Sequence, residues 1–394
     1  MIATLIIAAL FVIALPLAVE TGCLALELLC AGLGRRRPAG PALRPRLRCA
    51  VIIPAHDEEA NLAVTLRSVK AQLGSRDRLV VVADNCSDDT AKVAAAEGAE
   101  VVERFDKTLI GKGYALDHGI RFLEADPPEI VLFFDADCVL GDDCIAELVA
   151  LCSATGRPVQ GKNLCVGKGA SPKERIRELA FRVKNYVRSL GASRLGFPAL
   201  LTGIGMALPW AVIRNAKLAS GHIAEDMKLG VDLSLAGHEP VYCPDASIVS
   251  GFPDSAAGQS TQRTRWEHGH FTVIREYCPR LIAAALRQGR WRLAALACDI
   301  AVPPLGLLLI ANTLVTGAAV AAALLFNAAG GWLILPSLLL PVFVLVLGLT
   351  VSAHGRDLLR PRDLLVIPFY AFSKVPTLWS FLRKPQRLWI RSER

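Results

Sequence analysis

Apolar residues are concentrated towards the two ends of this chain, whereas the stretch between them mixes polar and apolar positions. Residues 1–34 carry only two charges, at Glu20 and Glu27, and later apolar runs span Val302–Phe326 and Trp332–Ala353. Each run reaches the length of about 20 residues that a membrane-crossing helix needs. The pattern therefore predicts a globular domain held at a membrane by segments on both sides of it.

The first apolar run is expected to be a retained anchor, because a cleaved signal peptide would have a basic start and a shorter apolar core. Pro16 and Glu20 predict a kink or a helix end inside this run. The basic run RRRPAGPALRPRLR follows at residues 35–48. Such a run favours the cytoplasmic side of a membrane, although an anionic-lipid contact or a flexible linker would look the same. We expect the N-terminus outside and the main domain inside.

The two later apolar runs are joined by the short sequence NAAGG, which predicts a helical hairpin that returns the chain to the cytoplasmic side. The last segment, Leu364–Leu382, contains Lys374 and two prolines and is followed by a basic tail. If this segment crossed the membrane, the basic tail would lie outside, against the charge rule. An interfacial or re-entrant helix is therefore favoured there.

Between the apolar ends, short apolar runs alternate with segments of helical spacing. The predicted strands are Cys49–Ala55, Leu79–Asp84, Ala99–Phe105 and Glu129–Asp137. The predicted helices are Asn61–Leu73, a segment from Ala91, and Tyr114–Leu123. This alternation predicts an α/β fold with a parallel sheet, in which ligands bind at the carboxyl ends of the strands. The polar clusters HDEE, DNCSDD and DAD follow the first, second and fourth strands, where that rule places a site.

The composition supports a membrane-bound protein. Apolar residues make up 53% of the 394 residues, and the mean hydropathy of +0.41 is too high for an ordinary soluble enzyme. The net charge of +8 favours an anionic lipid surface or an anionic substrate, and no basic patch interleaved with aromatic residues indicates nucleic acid. Eleven cysteines without a CxxC pair predict reduced, buried thiols.

Asp135 and Asp137 are two positions apart at the end of an apolar run, so both carboxylates are expected to face one ligand. Two converging carboxylates repel each other unless a cation lies between them. Mg²⁺ or Mn²⁺, with further oxygen ligands from a diphosphate, fits such a site. Two solvated acids in a turn are the alternative.

Five other residues have a candidate chemical role beside a structural one. Asp84 and Glu58 follow strands and could bind a nucleobase or ribose, or could favour the start of the next helix. Lys112, in the sequence GKG, could meet a phosphate, although the spacing is not that of a P-loop. Glu225 and Asp226 begin a predicted helix, where acids are favoured in any case; one of them could instead be a general base near the sugar of a nucleotide donor.

The segments PAHDEE, ADNCSDDT, GKGYALDHG, FFDAD, AED and QRTRW occur in the order and rough spacing of family 2 glycosyltransferases, which the sequence resembles from about Ala50 to Gly269. The closing QxxRW, formed by Gln262, Arg265 and Trp266, is similar to the signature of the membrane-embedded branch. That branch includes cellulose, chitin and hyaluronan synthases and bacterial exopolysaccharide enzymes. The resemblance implies a GT-A fold, with a Rossmann-like, mostly parallel sheet in a cytosolic domain flanked by transmembrane helices.

The resemblance also implies how a donor would bind. Ala55, Glu58 and Asp84 would hold the uridine part of a UDP-sugar. Lys112 would lie near the nucleotide, and Asp135 would contact its ribose or diphosphate.

For the reaction, the resemblance implies that Asp137, together with Asp135, binds the Mg²⁺ or Mn²⁺ cofactor. Asp226, beside Glu225, would be the base that deprotonates the acceptor, in a direct displacement with inversion at the anomeric carbon. The base motif reads AED where TED is commoner in the family.

On the membrane side, the resemblance implies that Arg265 meets the diphosphate and that Trp266 lines the site of the acceptor sugar, with Gln262 on the same wall. The segment TGIGMALPW resembles the acceptor-side glycine loop, but it ends in Pro-Trp where an arginine is frequent.

The sequence predicts a multi-pass protein of the inner (plasma) membrane, with its catalytic domain in the cytoplasm. The predicted regions are an N-terminal anchor at 1–34, a basic linker at 35–48, the GT-A domain at 49–270, interfacial helices at 271–299, a transmembrane hairpin at 300–353, and an interfacial or re-entrant segment with a basic tail at 354–394.

The expected activity is transfer of a sugar from a UDP-sugar to a growing polysaccharide or oligosaccharide. The alternatives are transfer of one sugar to a polyprenyl-linked lipid and a non-catalytic subunit that binds nucleotide sugar or glycan in an export complex. Expected partners are the UDP-sugar, a glycan or lipid-linked acceptor, membrane lipids, and export or assembly proteins.

Overall fold

The computed structural model describes residues 2–33, 46–167, 169, 171–326 and 331–386. Its strands are β1 (Cys49–Ala55), β2 (Arg78–Asp84), β3 (Glu100–Arg104), β4 (Ile130–Phe133), β5 (Cys138–Leu140), β6 (Val159–Val166), β7 (Met206–Pro209) and β8 (Val241–Gly251). Its α-helices are α1 (Ile2–Ala31), α2 (Leu62–Lys70), α3 (Thr90–Ala96), α4 (Lys112–Leu123), α5 (Cys144–Thr155), α6 (Pro172–Arg182), α7 (Arg188–Arg194), α8 (Trp210–Ile213), α9 (Glu225–Leu235), α10 (Ala256–Gln288), α11 (Trp291–Ala301), α12 (Leu305–Leu325), α13 (Ile334–His354), α14 (Ile367–Phe372) and α15 (Val375–Arg383). A π-helical turn at Val183–Val187 joins α6 to α7, and 3₁₀ turns lie at Gly331–Leu333 and Pro361–Val366.

These elements form two compact units, a sheet unit and a helical unit. The sheet unit contains residues 46–166 and 198–269 together with Gln386. Its eight strands lie in the order β3-β2-β1-β4-β7-β6-β8-β5. Strands β3, β2, β1 and β4 are parallel, whereas β7 pairs antiparallel with both β4 and β6. The prediction of an α/β fold is confirmed, with a sheet that is parallel in its first half and mixed in its second.

Strand β1 is apolar along its whole length because both of its faces are covered. Val51 and Ile53 belong to a buried cluster that includes residues of α2 and α5. Ala50 and Ile52 belong to a second cluster, on the other face, that includes residues of α4. A parallel strand covered on both faces gives a continuous apolar run rather than an alternating one. This arrangement brings the carboxyl ends of β1, β2 and β4 to one edge of the sheet.

The strand predicted over Glu129–Asp137 ends early, at Phe133. The hydroxyl of Thr65 on α2 donates to the carbonyl oxygen of Ala136 at 2.9 Å and accepts the backbone N–H of Cys138 at 3.1 Å. These bonds turn the chain from β4 into β5. The expectation that the two aspartates of the DAD motif extend a straight strand is therefore wrong, and both lie in the connecting loop.

The helical unit contains the described residues of 2–33, 167–197 and 270–385. Four of its helical stretches are long and apolar enough to cross a membrane: Ile2–Ala31, Leu305–Phe326, Gly331–His354 and Pro361–Arg383. These helices indicate membrane association. Helix α1 continues past Pro16 and Glu20, so the alternative of a helix end at these residues is wrong.

Three predicted features fall wholly or largely outside the described residues: the basic linker at 35–48, the turn at 327–331 and the basic tail at 383–394. The last candidate span consists of a 3₁₀ turn, α14 and α15, and its length and composition would allow it to cross. The interfacial or re-entrant path of this segment stays a prediction.

Buried charges hold three helices of the helical unit together. Arg188 of α7 donates from Nε to Glu27 of α1 at 2.6 Å and from Nη2 to the side chain of Asp299 on α11. All three side chains are buried. A buried guanidinium is stabilised only where carboxylates pair with it, and this pairing ties α1, α7 and α11 to one another.

Candidate active site

A cavity of about 470 Å³ opens at the carboxyl ends of β1 and β2, beside the loop that follows β4. The strand order places these ends next to one another. The site residues predicted from the sequence that line it are Ala55, Glu58, Asp84, Lys112, Asp135, Asp137, Gln262 and Arg265. The structure therefore brings residues from five separate sequence motifs to one cavity.

Ala55 and Glu58 form the wall of the cavity that follows β1. The carbonyl oxygen of Ala55 accepts a hydrogen bond from the thiol of Cys86 at 3.4 Å. The carbonyl oxygen of Glu58 accepts the backbone N–H of Leu62 at 3.0 Å, at the start of α2. Glu58 thus lies both at the cavity and at a helix start, so the structure is compatible with either interpretation of this residue.

Asp84 ends β2 and is only 7% exposed. It lies opposite Arg104, its register partner on β3, and Arg104 Nη1 donates to Asp84 Oδ1 at 2.6 Å. Burial raises the pKa of Asp84 above its ordinary value, and the guanidinium of Arg104 opposes that rise. Arg104 lies outside the sequence motifs. One signal was available: Arg104 is the last residue of β3, and β3 pairs with β2, which ends at Asp84.

Lys112 begins α4 and connects two sides of the site. Its ammonium forms an ion pair with Asp135 and donates a hydrogen bond to the carbonyl oxygen of Gly203 at 2.7 Å. Burial disfavours the charged lysine, but the carboxylates of Asp135, Glu225 and Asp226 outweigh burial and raise the pKa of Lys112 above its ordinary value. A permanent positive charge therefore lies among the acids of the site.

Gly203 brings Asp226 close to Lys112. Its φ of +79° lies in the left-handed region, where glycine is favoured. A Cβ at this position would lie 3.0 Å from Asp226 Oδ2 and 3.2 Å from Lys112 Nζ. Both groups therefore lie beside Gly203, at a position that leaves little space for a side chain.

Gln160 holds this loop in place. Its Oε1 atom accepts the backbone N–H of Thr202 at 2.8 Å, and its Nε2 atom donates to the carbonyl oxygen of Ile204 at 2.8 Å. Gln160 lies on β6 and is buried. A buried amide whose donor and acceptor are both used fixes the backbone around it. No local pattern marks Gln160, because its partners lie 42 and 44 positions away.

Glu225 and Asp226 begin α9, as predicted, and line a small pocket beside the loop of Gly203. Asp226 Oδ1 accepts the backbone N–H of Met227 at 2.7 Å. Burial, followed by the negative charge of Asp226, raises the pKa of Glu225 to about 7, whereas Lys112 opposes the rise. At neutral pH, Glu225 is poised between its acid and its carboxylate forms.

Gln262, Arg265 and Trp266 lie on α10 at the helical spacing that places side chains on one face. Gln262 and Arg265 line the cavity, and Gln262 is buried. Trp266 is 38% exposed and is not part of the cavity lining. The indole is therefore accessible outside the main cavity.

Asp135 and Asp137 provide oxygen ligands of the kind that hard divalent cations prefer. Both line the cavity, and Asp135 already pairs with the ammonium of Lys112. Burial, together with the charges of both aspartates, raises the pKa of the Cys138 thiol well above its ordinary value. The two carboxylates thus act on one small region, and this donor set fits Mg²⁺ or Mn²⁺.

The sequence model of the family described as "Glycosyltransferase like family 2" matches residues 45–269, more than half of the chain. The chain belongs to glycosyltransferase family 2. The resemblance noted from the motifs is confirmed, and the protein is a transferase. The residue roles within this glycosyltransferase stay predictions.

Two curated relatives show the range of proteins to which this glycosyltransferase is similar. It is 35% identical over 104 residues to 4,4'-diaponeurosporenoate glycosyltransferase of Staphylococcus haemolyticus, covering 25% of this chain and 27% of that one. It is 23% identical over 247 residues to poly-beta-1,6-N-acetyl-D-glucosamine synthase of Staphylococcus epidermidis, covering 58% of this chain and 56% of that one. The chain therefore spans little more than half the length of the second relative and about a quarter of the first.

Among solved structures, the glycosyltransferase is similar to the mannosyltransferase PcManGT from Pyrobaculum calidifontis, whose structure is in complex with GDP-Man and Mn²⁺. The TM-score is 0.57 at 20% identity, covering 94% of this chain and 99% of that one. This likeness supports the GT-A fold predicted from the sequence.

Proposed function

We propose that the protein transfers a sugar from a UDP-sugar to a growing glycan, with inversion at the anomeric carbon. The observation that carries this proposal is the meeting of Asp226 and Lys112 at Gly203, with Asp135 paired to the same lysine. A carboxylate that can accept a proton thus lies beside a cation that can stabilise a leaving diphosphate.

In the proposed step, an acceptor hydroxyl oxygen forms a bond to the anomeric carbon as the bond from that carbon to the diphosphate oxygen breaks. Asp226 accepts the hydroxyl proton. Lys112 and Arg265 stabilise the negative charge that the diphosphate gains, and both line the donor cavity. Exposed Trp266 offers a flat surface on which an acceptor sugar ring can stack.

We further propose that Asp135 and Asp137 hold a divalent cation, Mg²⁺ or Mn²⁺. The cation would supply positive charge to the diphosphate oxygens. Asp137→Ala should abolish the dependence of donor binding on Mn²⁺, with the protein still folded. Unchanged Mn²⁺ dependence in this variant would contradict the ligand role.

The acceptor is proposed to be a polysaccharide or oligosaccharide at the cytoplasmic face of the plasma membrane. The relative from Staphylococcus epidermidis bears the name of a polysaccharide synthase, and the apolar helices support a membrane location. The relative from Staphylococcus haemolyticus bears the name 4,4'-diaponeurosporenoate glycosyltransferase rather than that of a polysaccharide synthase, and single-sugar transfer to a polyprenyl-linked lipid is the second candidate.

The decisive experiment uses the full-length protein, purified in detergent, with Mg²⁺ or Mn²⁺ and a panel of UDP-sugars. UDP release identifies the donor, and mass spectrometry of the product measures its length. A ladder or polymer supports glycan extension, whereas a single addition supports the lipid acceptor. Absence of UDP release with every sugar and acceptor would overturn the proposal and favour a non-catalytic binding subunit.

A further inference from the structure

Asp84 offers one carboxylate oxygen to the cavity, because the donors that bind it converge on the other. Arg104 Nη1 donates to Asp84 Oδ1 at 2.6 Å, and Asn85 Nδ2 donates to the same atom at 3.0 Å. Within the described part of the chain, no donor bonds to Oδ2. Two donors use the two lone pairs of an oxygen in the carboxylate plane, so Oδ1 is saturated and Oδ2 is the remaining acceptor.

The amide of Asn85 cannot turn away from this arrangement without loss. Its Oδ1 atom accepts the backbone N–H of Asp106 at 2.8 Å, so its NH₂ group must face Asp84. The backbone N–H of Asn85 also donates to the carbonyl oxygen of Arg104 at 2.7 Å. The donor from Asn85 is therefore fixed in position.

The guanidinium of Arg104 is fixed in the same way. Its Nη2 atom donates to the carbonyl oxygen of Leu109 at 2.6 Å, and its central carbon lies 5.6 Å from the centre of the Tyr114 ring. Arg104 is thus held by Asp84, by the loop after β3 and by an aromatic face of α4. Releasing Asp84 Oδ1 would require breaking several contacts at once.

Nucleobases differ in the number of N–H groups that they present to a carboxylate. Uracil and hypoxanthine each present one ring N–H, which a single carboxylate oxygen can satisfy. Guanine has a ring N–H and an adjacent amino group, which together match both oxygens of a carboxylate. If only one oxygen is available, the amino group of guanine loses its partner on binding, and that loss lowers affinity.

We infer that Arg104 and Asn85 make the donor pocket selective for a base with a single ring N–H, and against guanine, by saturating Asp84 Oδ1. The inference rests on the proposed function, in which a nucleotide occupies this cavity, and it selects uracil as the matching base there. Arg104 is a positioning residue, since it acts through Asp84.

The test compares binding of IDP and GDP, which differ only in the amino group of guanine, to the full-length protein in detergent with Mn²⁺. GDP should bind the wild-type protein about tenfold more weakly than IDP. In Arg104→Met, which removes one of the two donors to Oδ1 and keeps an apolar contact for Tyr114, the difference should shrink to about threefold or less. Arg104→Lys, which keeps one charged donor, should retain the wild-type preference.

A second variant guards against misfolding of the first. Asn85 has a φ of +54°, so Asn85→Gly preserves the backbone and removes one of the two donors. In this variant also, the affinity for GDP should rise relative to the affinity for IDP. The inference is wrong if the affinity for GDP rises relative to that for IDP in neither Arg104→Met nor Asn85→Gly. It is also wrong if the wild-type protein binds GDP as tightly as IDP.

Binding of UDP separates this inference from the proposed function. If the wild-type protein binds no UDP in the presence of Mn²⁺ and releases none from any UDP-sugar, the proposed function fails. If UDP binds and the ratio of GDP to IDP affinity is the same in all proteins, only the role of Arg104 and Asn85 fails.

Discussion

Gly191 packs against the backbone of Glu27 so closely that a Cβ on Gly191 would lie 1.7 Å from the carbonyl oxygen of Glu27. The contact joins α7 to α1, and small residues permit such close approach of helices. Gly191→Ala should force the helices apart and lower the free energy of unfolding by about 2 kcal/mol or more. Thermal unfolding of the protein in detergent measures this loss.

Gly22 of α1 provides the matched control, because no atom lies within 4 Å of the Cβ that would be added there. Gly22→Ala should change the unfolding temperature little. Similar losses in both variants would show that helix crowding at Gly191 is not the cause.

The buried cluster around Arg188 predicts unequal effects for its members. Burial, followed by the charge of Glu27, raises the pKa of Asp299 well above its ordinary value, which favours the neutral acid. Asp299→Asn keeps an acceptor for Arg188 and should lower the free energy of unfolding by less than about 1 kcal/mol. Arg188→Met leaves Glu27 buried without its partner and should cost about 3–5 kcal/mol. Thermal unfolding again provides the comparison, and equal costs would mean that Asp299 is ionised.

Asp226→Asn should lower the rate of sugar transfer by about 10²–10⁴-fold, because the amide cannot accept the proton of the acceptor. UDP binding should be unchanged, since Asp226 lines the small pocket beside Gly203 and is not among the described residues that line the donor cavity. UDP-release assays and direct binding measurements separate these effects. Asp232→Asn is the control, because Asp232 lies on the same helix and pairs with Lys228 away from the cavity. Turnover retained in Asp226→Asn would remove this residue from the role of base.

The raised pKa of Glu225 makes the stability of the protein depend on pH. The pKa is about 7 in the folded protein and about 4.5 in an exposed glutamate, so between these values the folded state holds a proton that the unfolded state has lost. Stability therefore falls as the pH rises from about 4.5 to about 7. Glu225→Gln removes this loss. The variant should therefore unfold at a higher temperature than the wild type at about pH 8, and the difference should be smaller at about pH 5. Parallel pH profiles for the two proteins would contradict the shift.

The first half of the sheet could be predicted because its signals are local. Strand β1 is buried on both faces, so its apolar run is continuous and ends where polar residues meet the cavity. The strands β6, β7 and β8 gave no such signal. They pair across long stretches of chain, and β7 has only four residues.

Only those residues of the candidate site that belong to sequence motifs could be predicted. Residues such as Asp84 and Lys112 are recognisable because they follow strands or precede helices. Gln160 and Gly203 were not, because their importance depends on distant partners: an amide that fixes a loop, and a backbone that has space for no side chain. The loop after β4 shows the same limit, since the hydroxyl of Thr65, far away in sequence, decides where the strand ends.

Cys86, whose thiol bonds to the carbonyl oxygen of Ala55, is the only cysteine among the described residues that line the cavity. Burial raises the pKa of its thiol, so alkylation should be slow but measurable above neutral pH. A bound nucleotide would cover this thiol and slow its labelling. Mass spectrometry of the labelled peptide would then report donor occupancy directly, before any acceptor is known, and slower labelling with UDP but not with uncharged sugar would locate the nucleotide in this cavity.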